Sequence, residues 1–80
     1  EDYVEEALLI YPNPAKETLF YQLTDVPARI KIFDSKGQLM LDKNVTDDQG
    51  KIDVSNIPSG MFIIIAETPY DVIHTKFIKD

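Results

Sequence analysis

The sequence predicts an all-β fold: a sandwich of about seven antiparallel strands in two sheets. Three observations point there. Apolar residues alternate with polar ones or form short runs, and turn residues interrupt them roughly every eight to twelve positions. No segment sustains a helical period. The chain has 80 residues, too few for a large barrel, so two sheets packed face to face is the economical arrangement.

Each element follows from its neighbours. Ala7–Tyr11 reads as the first strand, stopped at Pro12, which fixes φ and lacks a donor. Pro14 in turn biases Asn13 toward an extended conformation. Tyr11-Pro12-Asn13-Pro14 is therefore expected to be a rigid corner leading to the second strand, Thr18–Leu23. Thr24-Asp25-Val26-Pro27 turns the chain. Arg29–Asp34 alternates, with Ile30 and Ile32 on one side and Arg29 and Lys31 on the other. Ser35-Lys36-Gly37 makes a tight turn, so Gln38–Val45 should return as the second arm of a hairpin.

Asp47-Asp48-Gln49-Gly50 reads as a further turn, then Lys51–Val54 as a short strand with Ile52 and Val54 inward. Ser55–Gly60 is a loop containing Pro58. Met61–Ala66 is the most apolar run and is expected to be a central strand covered on both faces. Thr68-Pro69-Tyr70-Asp71 reverses the chain into the last strand, Val72–Lys79. There Ile73, Thr75 and Phe77 oppose Val72, His74 and Ile78. The best helical candidate, Asp2–Leu9, is short and has no apolar stripe before Ala7. Residues 1–6 read as an acidic leader or linker and residues 7–80 as the domain.

Composition removes several function classes. The apolar fraction of 44% and charged fraction of 28% describe a globular chain. A net charge of −6 opposes a phosphate backbone, which argues against nucleic acid as a partner. Without cysteine, the domain has no disulfide, thiolate metal ligand or thiol nucleophile. No cofactor is implied. The longest apolar run is too short to cross a bilayer. The chain opens at Glu1 rather than Met, as expected of a piece of a longer protein.

The chemistry-bearing residues are sparse. His74 is the single histidine. Its serine partners would be Ser35, Ser55 or Ser59, all in turn contexts where hydroxyls bond local backbone. No spacing signals a triad, so no catalytic residue is assigned. Asp47, Asp48 and Gly50 share only composition with a calcium loop, so no metal ligand is assigned. Asn44-Val45-Thr46 fits a glycosylation sequon, a short pattern common by chance. The last strand is the most distinctive physical feature. As an edge strand it can accept an added strand from a partner or a second copy, with Lys76 and Lys79 giving charge complementarity or edge protection.

Four segments in order carry a resemblance: "IYPNPAKETLFY", "IKIFDSKGQLM", "GKIDVSNIPSGMFII" and "HTKFIKD". Together they resemble the type A C-terminal sorting domain of type IX secretion cargo proteins, from about Leu8 to Lys79. Tyr11-Pro12-Asn13-Pro14-Ala15-Lys16 matches the opening Y-P-N-P-A-x signature. Asp34 and Gly37 match the D-x-x-G hairpin turn. Gly50, Ile52, Val54 and Ile57 match G-x-I-D-V-S-x-L, with Ile57 for Leu. Gly60-Met61-Phe62 matches G-x-Y, with Phe62 for Tyr. Lys76-Phe77-Ile78-Lys79 matches the terminal K-F-x-K, and Asp80 extends one residue past it.

The resemblance implies an immunoglobulin-like sandwich that is an address rather than an enzyme. It implies a cargo domain N-terminal on the same chain, passage through the periplasm, and recognition by the type IX translocon. Export then leads to the cell surface or the extracellular space. A sortase-like cysteine peptidase is expected to cut before the first strand, in or upstream of Glu1–Glu6. The recognition residues it implies are Gly60, Met61, Phe62, Lys76, Phe77, Ile78 and Lys79. Under this resemblance, the machinery that adds a strand to the last edge is expected to read the Phe77 and Ile78 side chains in pockets. The alternative is a non-catalytic accessory module, either carbohydrate-binding or a spacer. A carbohydrate-binding module should carry an aromatic platform, yet Tyr3, Tyr11, Tyr21 and Tyr70 are scattered and there is no Trp.

Overall fold

Alternating apolar residues and short turns produce seven strands in the computed structural model, which describes residues 7–80. They are β1 (Leu8–Tyr11), β2 (Thr18–Leu23), β3 (Ala28–Asp34), β4 (Leu39–Val45), β5 (Gln49–Asp53), β6 (Gly60–Glu67) and β7 (Val72–Lys79). All strand pairs are antiparallel. One sheet has the order β1-β2-β5 and the other β4-β3-β6-β7. The expected acidic leader, residues 1–6, lies outside the described residues. The weak helical candidate ends in strand, since Leu8 and Leu9 belong to β1.

The period of two decides which side chains are inside. Leu19, Tyr21 and Leu23 of β2 face Ile30, Ile32, Ile64 and Ala66 of the other sheet's inner surface, and all are buried. Ile52 and Val54 close the core on the β5 side, as their alternation predicts, and Ile57 of the following loop joins them. Strands β3 and β4 form the expected hairpin, with a register shift between Ile32 and Phe33. Asp34 organises its turn: Oδ1 accepts the N–H groups of Lys36 and Gln38, each at 2.9 Å, and the Asp34 carbonyl accepts Gly37 N–H at 3.0 Å.

Two expectations are corrected. Gln49 and Gly50 are not turn residues but the start of β5, paired with Gln22 and Tyr21. Gly50 is needed because the Tyr21 ring lies flat against it. A Cβ there would sit 2.9 Å from the Tyr21 hydroxyl and 3.0 Å from a ring carbon. The hydroxyl reaches on to donate to the Asp47 carbonyl at 3.1 Å. Burial raises the Tyr21 pKa, and the nearby Asp47 and Asp48 charges add to it.

The second correction concerns β6. It is central, between β3 and β7, but it is covered on one face only. Phe62, Ile64 and Ala66 are buried, while Met61 is exposed and Ile63 and Ile65 are half-buried on the outer side. A strand with two apolar faces was read as doubly covered, yet the sandwich has two layers and its outer faces meet solvent.

Gly50→Ala is expected to lower unfolding stability by about 1–3 kcal/mol, as other small-to-large changes in packed cores do. The urea midpoint measures this; an unchanged midpoint would show that the Tyr21 ring moves aside freely.

Candidate functional site

The opening and closing signatures, far apart in sequence, meet in space. Proline at 12 and 14 leaves Asn13 without a backbone donor at either neighbouring position. Its side-chain oxygen instead accepts the Ile78 N–H at 2.9 Å. Two residues on, Ala15 N–H donates to the Ile78 carbonyl at 2.8 Å, and Asp80 N–H donates to the Ala15 carbonyl at 2.8 Å. This is a one-residue parallel bridge, Ala15 to Lys79. Ala15 is fully buried, so a small side chain suits the place where the two sheets close on each other.

The corner expected at Tyr11-Pro12-Asn13-Pro14 is therefore also a strap on the last strand. Sequence reasoning missed this second role. The signal was present in the Pro-Asn-Pro pattern, which withholds nearby donors from the Asn side chain, but its remote partner was not specified.

The seven terminal residues singled out from sequence separate into two sets. Phe62 and Phe77 are cross-strand partners, both buried, with ring centroids 5.7 Å apart and planes 25° apart. The stack explains why a ring suffices at Phe62. Gly60 pairs with Lys79 and has φ of 145°, a conformation that glycine alone adopts readily. The Lys79 side chain turns inward, only 8% exposed, and its Nζ donates to the Ile57 carbonyl at 2.9 Å. That bond ties the end of β7 to the Ser55–Ser59 loop.

The expectation that Phe77 is read in a partner's pocket and that Lys79 supplies surface charge is thus at odds with their burial: in the folded domain both serve packing. Met61, Lys76 and Ile78 form the other set. They project from the outer face, and Met61 and Ile78 sit opposite one another, 47% and 43% exposed.

The edge of β7 is also only partly open. Its end, Ile78–Asp80, is bonded to the strap. Upstream, Asp71 Oδ1 accepts the Val72 N–H at 2.8 Å. The loop that Lys79 pins follows Asp53, the last residue of β5, whose Oδ1 accepts both Ser55 Oγ–H at 2.6 Å and Ser55 N–H at 2.9 Å. These bonds, the side-chain one foremost, hold the Asp53 carboxyl below its ordinary pKa. Ser55 is thereby committed to a local turn.

Aromatic side chains do come together on the other sheet. Tyr11 and Phe20 stack at 5.5 Å on its outer face. Their rings are near-parallel, 19° apart, and pack on each other.

Comparison with known proteins places these features in a family. Residues 9–80 match the secretion system C-terminal sorting domain family. A stretch of 66 residues is 33% identical to β-agarase A of Zobellia galactanivorans; it covers 80% of this chain and 12% of that protein. Among solved structures, one of PorZ aligns with a TM-score of 0.76 and 18% identity, covering 91% of this chain and 11% of that one. PorZ is described as an essential bacterial surface component of the type-IX secretion system of Porphyromonas gingivalis. The chain thus spans only about a tenth of the length of either protein, and at 18% identity the PorZ alignment speaks to the immunoglobulin-like fold alone.

Asn13→Ala is expected to speed hydrogen exchange at the Ile78 amide and to cost about 0.5–1.5 kcal/mol, the net worth of one such bond. Asn13→Asp keeps an acceptor and should retain most of the protection. Equal exchange in all three proteins would mean that the strap does not hold the strand.

Because the folded pKa of Asp53 is lowered, its contribution is present above the unfolded value and is lost as pH falls through the folded one. A urea midpoint followed from pH 5 down to pH 2 should therefore fall less steeply in Asp53→Asn than in the parent. Parallel curves would show that the Ser55 turn contributes nothing.

Proposed function

The chain belongs to the family of type IX secretion C-terminal sorting domains, and from that premise we propose that the translocon reads the outer side of β6 and β7. The domain is a sorting signal: proteins that carry this tail are exported to the cell surface or the extracellular space. Within the Gly60–Phe62 and Lys76–Lys79 segments, Met61, Lys76 and Ile78 make the contact. Gly60, Phe62, Phe77 and Lys79 keep the two strands in the register that presents them. This division is supported by one observation above all: alternate residues of the terminal signature are buried and exposed in turn.

The rest of the route follows the same reading. The cargo domain lies N-terminal on the same polypeptide and crosses the periplasm before export. A sortase-like cysteine peptidase then cuts in or upstream of Glu1–Glu6, ahead of β1. The domain acts as substrate and address, with no catalytic role of its own. In support, Ser55 is bonded to Asp53, and His74 lies exposed on the outer side of β7. The open stretch of β7, from Ile73 to Lys76, leaves a place for an added strand from the machinery or from a second copy.

A secreted reporter joined to this chain tests the reading in a host with type IX secretion. The parent fusion should reach the surface, and deletion of residues 76–80 should leave it in the periplasm. Lys76→Glu and Ile78→Asp should each reduce surface reporter several-fold, in line with interface anchors, while leaving the urea midpoint of the isolated domain nearly unchanged. Stable variants exported at the parent level would remove Lys76 and Ile78 from the contact.

A further inference from the structure

The outer face of the four-stranded sheet is unusually apolar along one end. Strand register sets Leu39 of β4 opposite Phe33 of β3, and Phe33 opposite Ile63 of β6. In the neighbouring row Met61 faces Ile78. Leu39 and Met61 are each 47% exposed and Ile78 is 43% exposed, with Phe33 and Ile63 half-buried between them. The belt therefore crosses all four strands. Contiguous apolar surface of this kind on a small domain marks an interaction site more often than a single exposed side chain does.

Charge on the same face is arranged asymmetrically. At the far end, Asp42 is paired with Arg29 at 2.6 Å and Glu67 with Lys31 at 3.2 Å. These carboxylates are already neutralised locally. Lys76 stands opposite Ile63, beside the belt, and makes no ion pair among the described residues. Charges separated by more than about 8 Å are largely screened at physiological salt. An approaching surface therefore responds to Lys76 more than to the net charge of the whole chain.

We propose that this belt is one continuous docking surface for a protein partner whose contact patch is apolar and rimmed by carboxylate. It extends the translocon contact proposed above from Met61, Lys76 and Ile78 across the sheet to Ile63, Phe33 and Leu39, and it rests on that reading. An apolar patch on the partner removes the belt from water, and a carboxylate at its rim meets Lys76. A second copy would instead set Lys76 near a like charge across a two-fold axis, which disfavours that occupant.

Leucine at 39 provides a sharp test, because Leu9 is a matched control. Leu9 is 43% exposed and pairs with Gln22 on the outer face of the other sheet. In the reporter fusion, Leu39→Glu should lower surface reporter by about tenfold, the effect of losing an interface anchor. Leu39→Lys should lower it less, because a cation suits a carboxylate rim. Leu9→Glu should match the parent. Urea midpoints of all variants should agree, which separates lost docking from lost folding.

Parent export with undiminished Leu39→Glu export would overturn the docking surface while leaving the sorting function intact. Failure of the parent fusion would instead overturn the functional reading beneath it. Sedimentation of the isolated domain should show a monomer. A dimer that Leu39→Glu dissociates would assign the belt to a second copy, and flotation with anionic vesicles that Leu39→Glu abolishes would assign it to a lipid surface. Either outcome would overturn the protein-partner proposal.

Discussion

The small strap of Asn13 and Ala15 across Ile78–Asp80 is the contact on which the architecture turns. Each sheet is internally paired, but a sandwich of this size buries little surface and has no disulfide to staple its layers. Three bonds of 2.8–2.9 Å join the segment leaving β1 to the end of β7. They satisfy backbone groups that would otherwise be stranded where the two sheets meet. They also fasten the end of the terminal strand, whose register against Gly60–Glu67 is carried by the β6–β7 ladder.

The register gives the terminal signature two kinds of residue. Phe77 and Lys79 face inward, where the ring stacks on Phe62 and the amine reaches the Ile57 carbonyl. An amine taken out of water is costly unless its protons find acceptors. The Ser55–Ser59 loop supplies one, and in exchange Lys79 orients that loop. Lys76 and Ile78 face outward and are free to meet another surface. A signature that looks like one recognition motif in the sequence is thus half scaffold and half surface.

Much of this fold was legible because strand alternation is a local property. Spacing put Ile52 and Val54 inside and Ile30 and Ile32 together on one side, and all four are buried. The Asp34–Gly37 turn followed from residue types whose backbone behaviour is local too. Gly50 was misread for the opposite reason: its requirement is imposed by the Tyr21 ring on a neighbouring strand. Asn13 was read only as a corner because its hydrogen-bond partner lies 65 residues away. Burial of Phe77 and Lys79 depended on which face of β7 turns inward, and apolar residues on both faces left that undetermined. Leu39 and Phe33 join Met61 and Ile78 only once the strand order β4-β3-β6-β7 is known.

The strap also has a consequence in time. Polypeptides emerge from the ribosome N-terminus first, and contacts of large sequence separation form slowly because a long loop must close before they reward the chain. Asn13 and Ala15 emerge before Ile78, Lys79 and Asp80. The strap therefore cannot close until synthesis has reached Asp80. A polypeptide that lacks Ile78–Asp80 leaves the junction of the two sheets open.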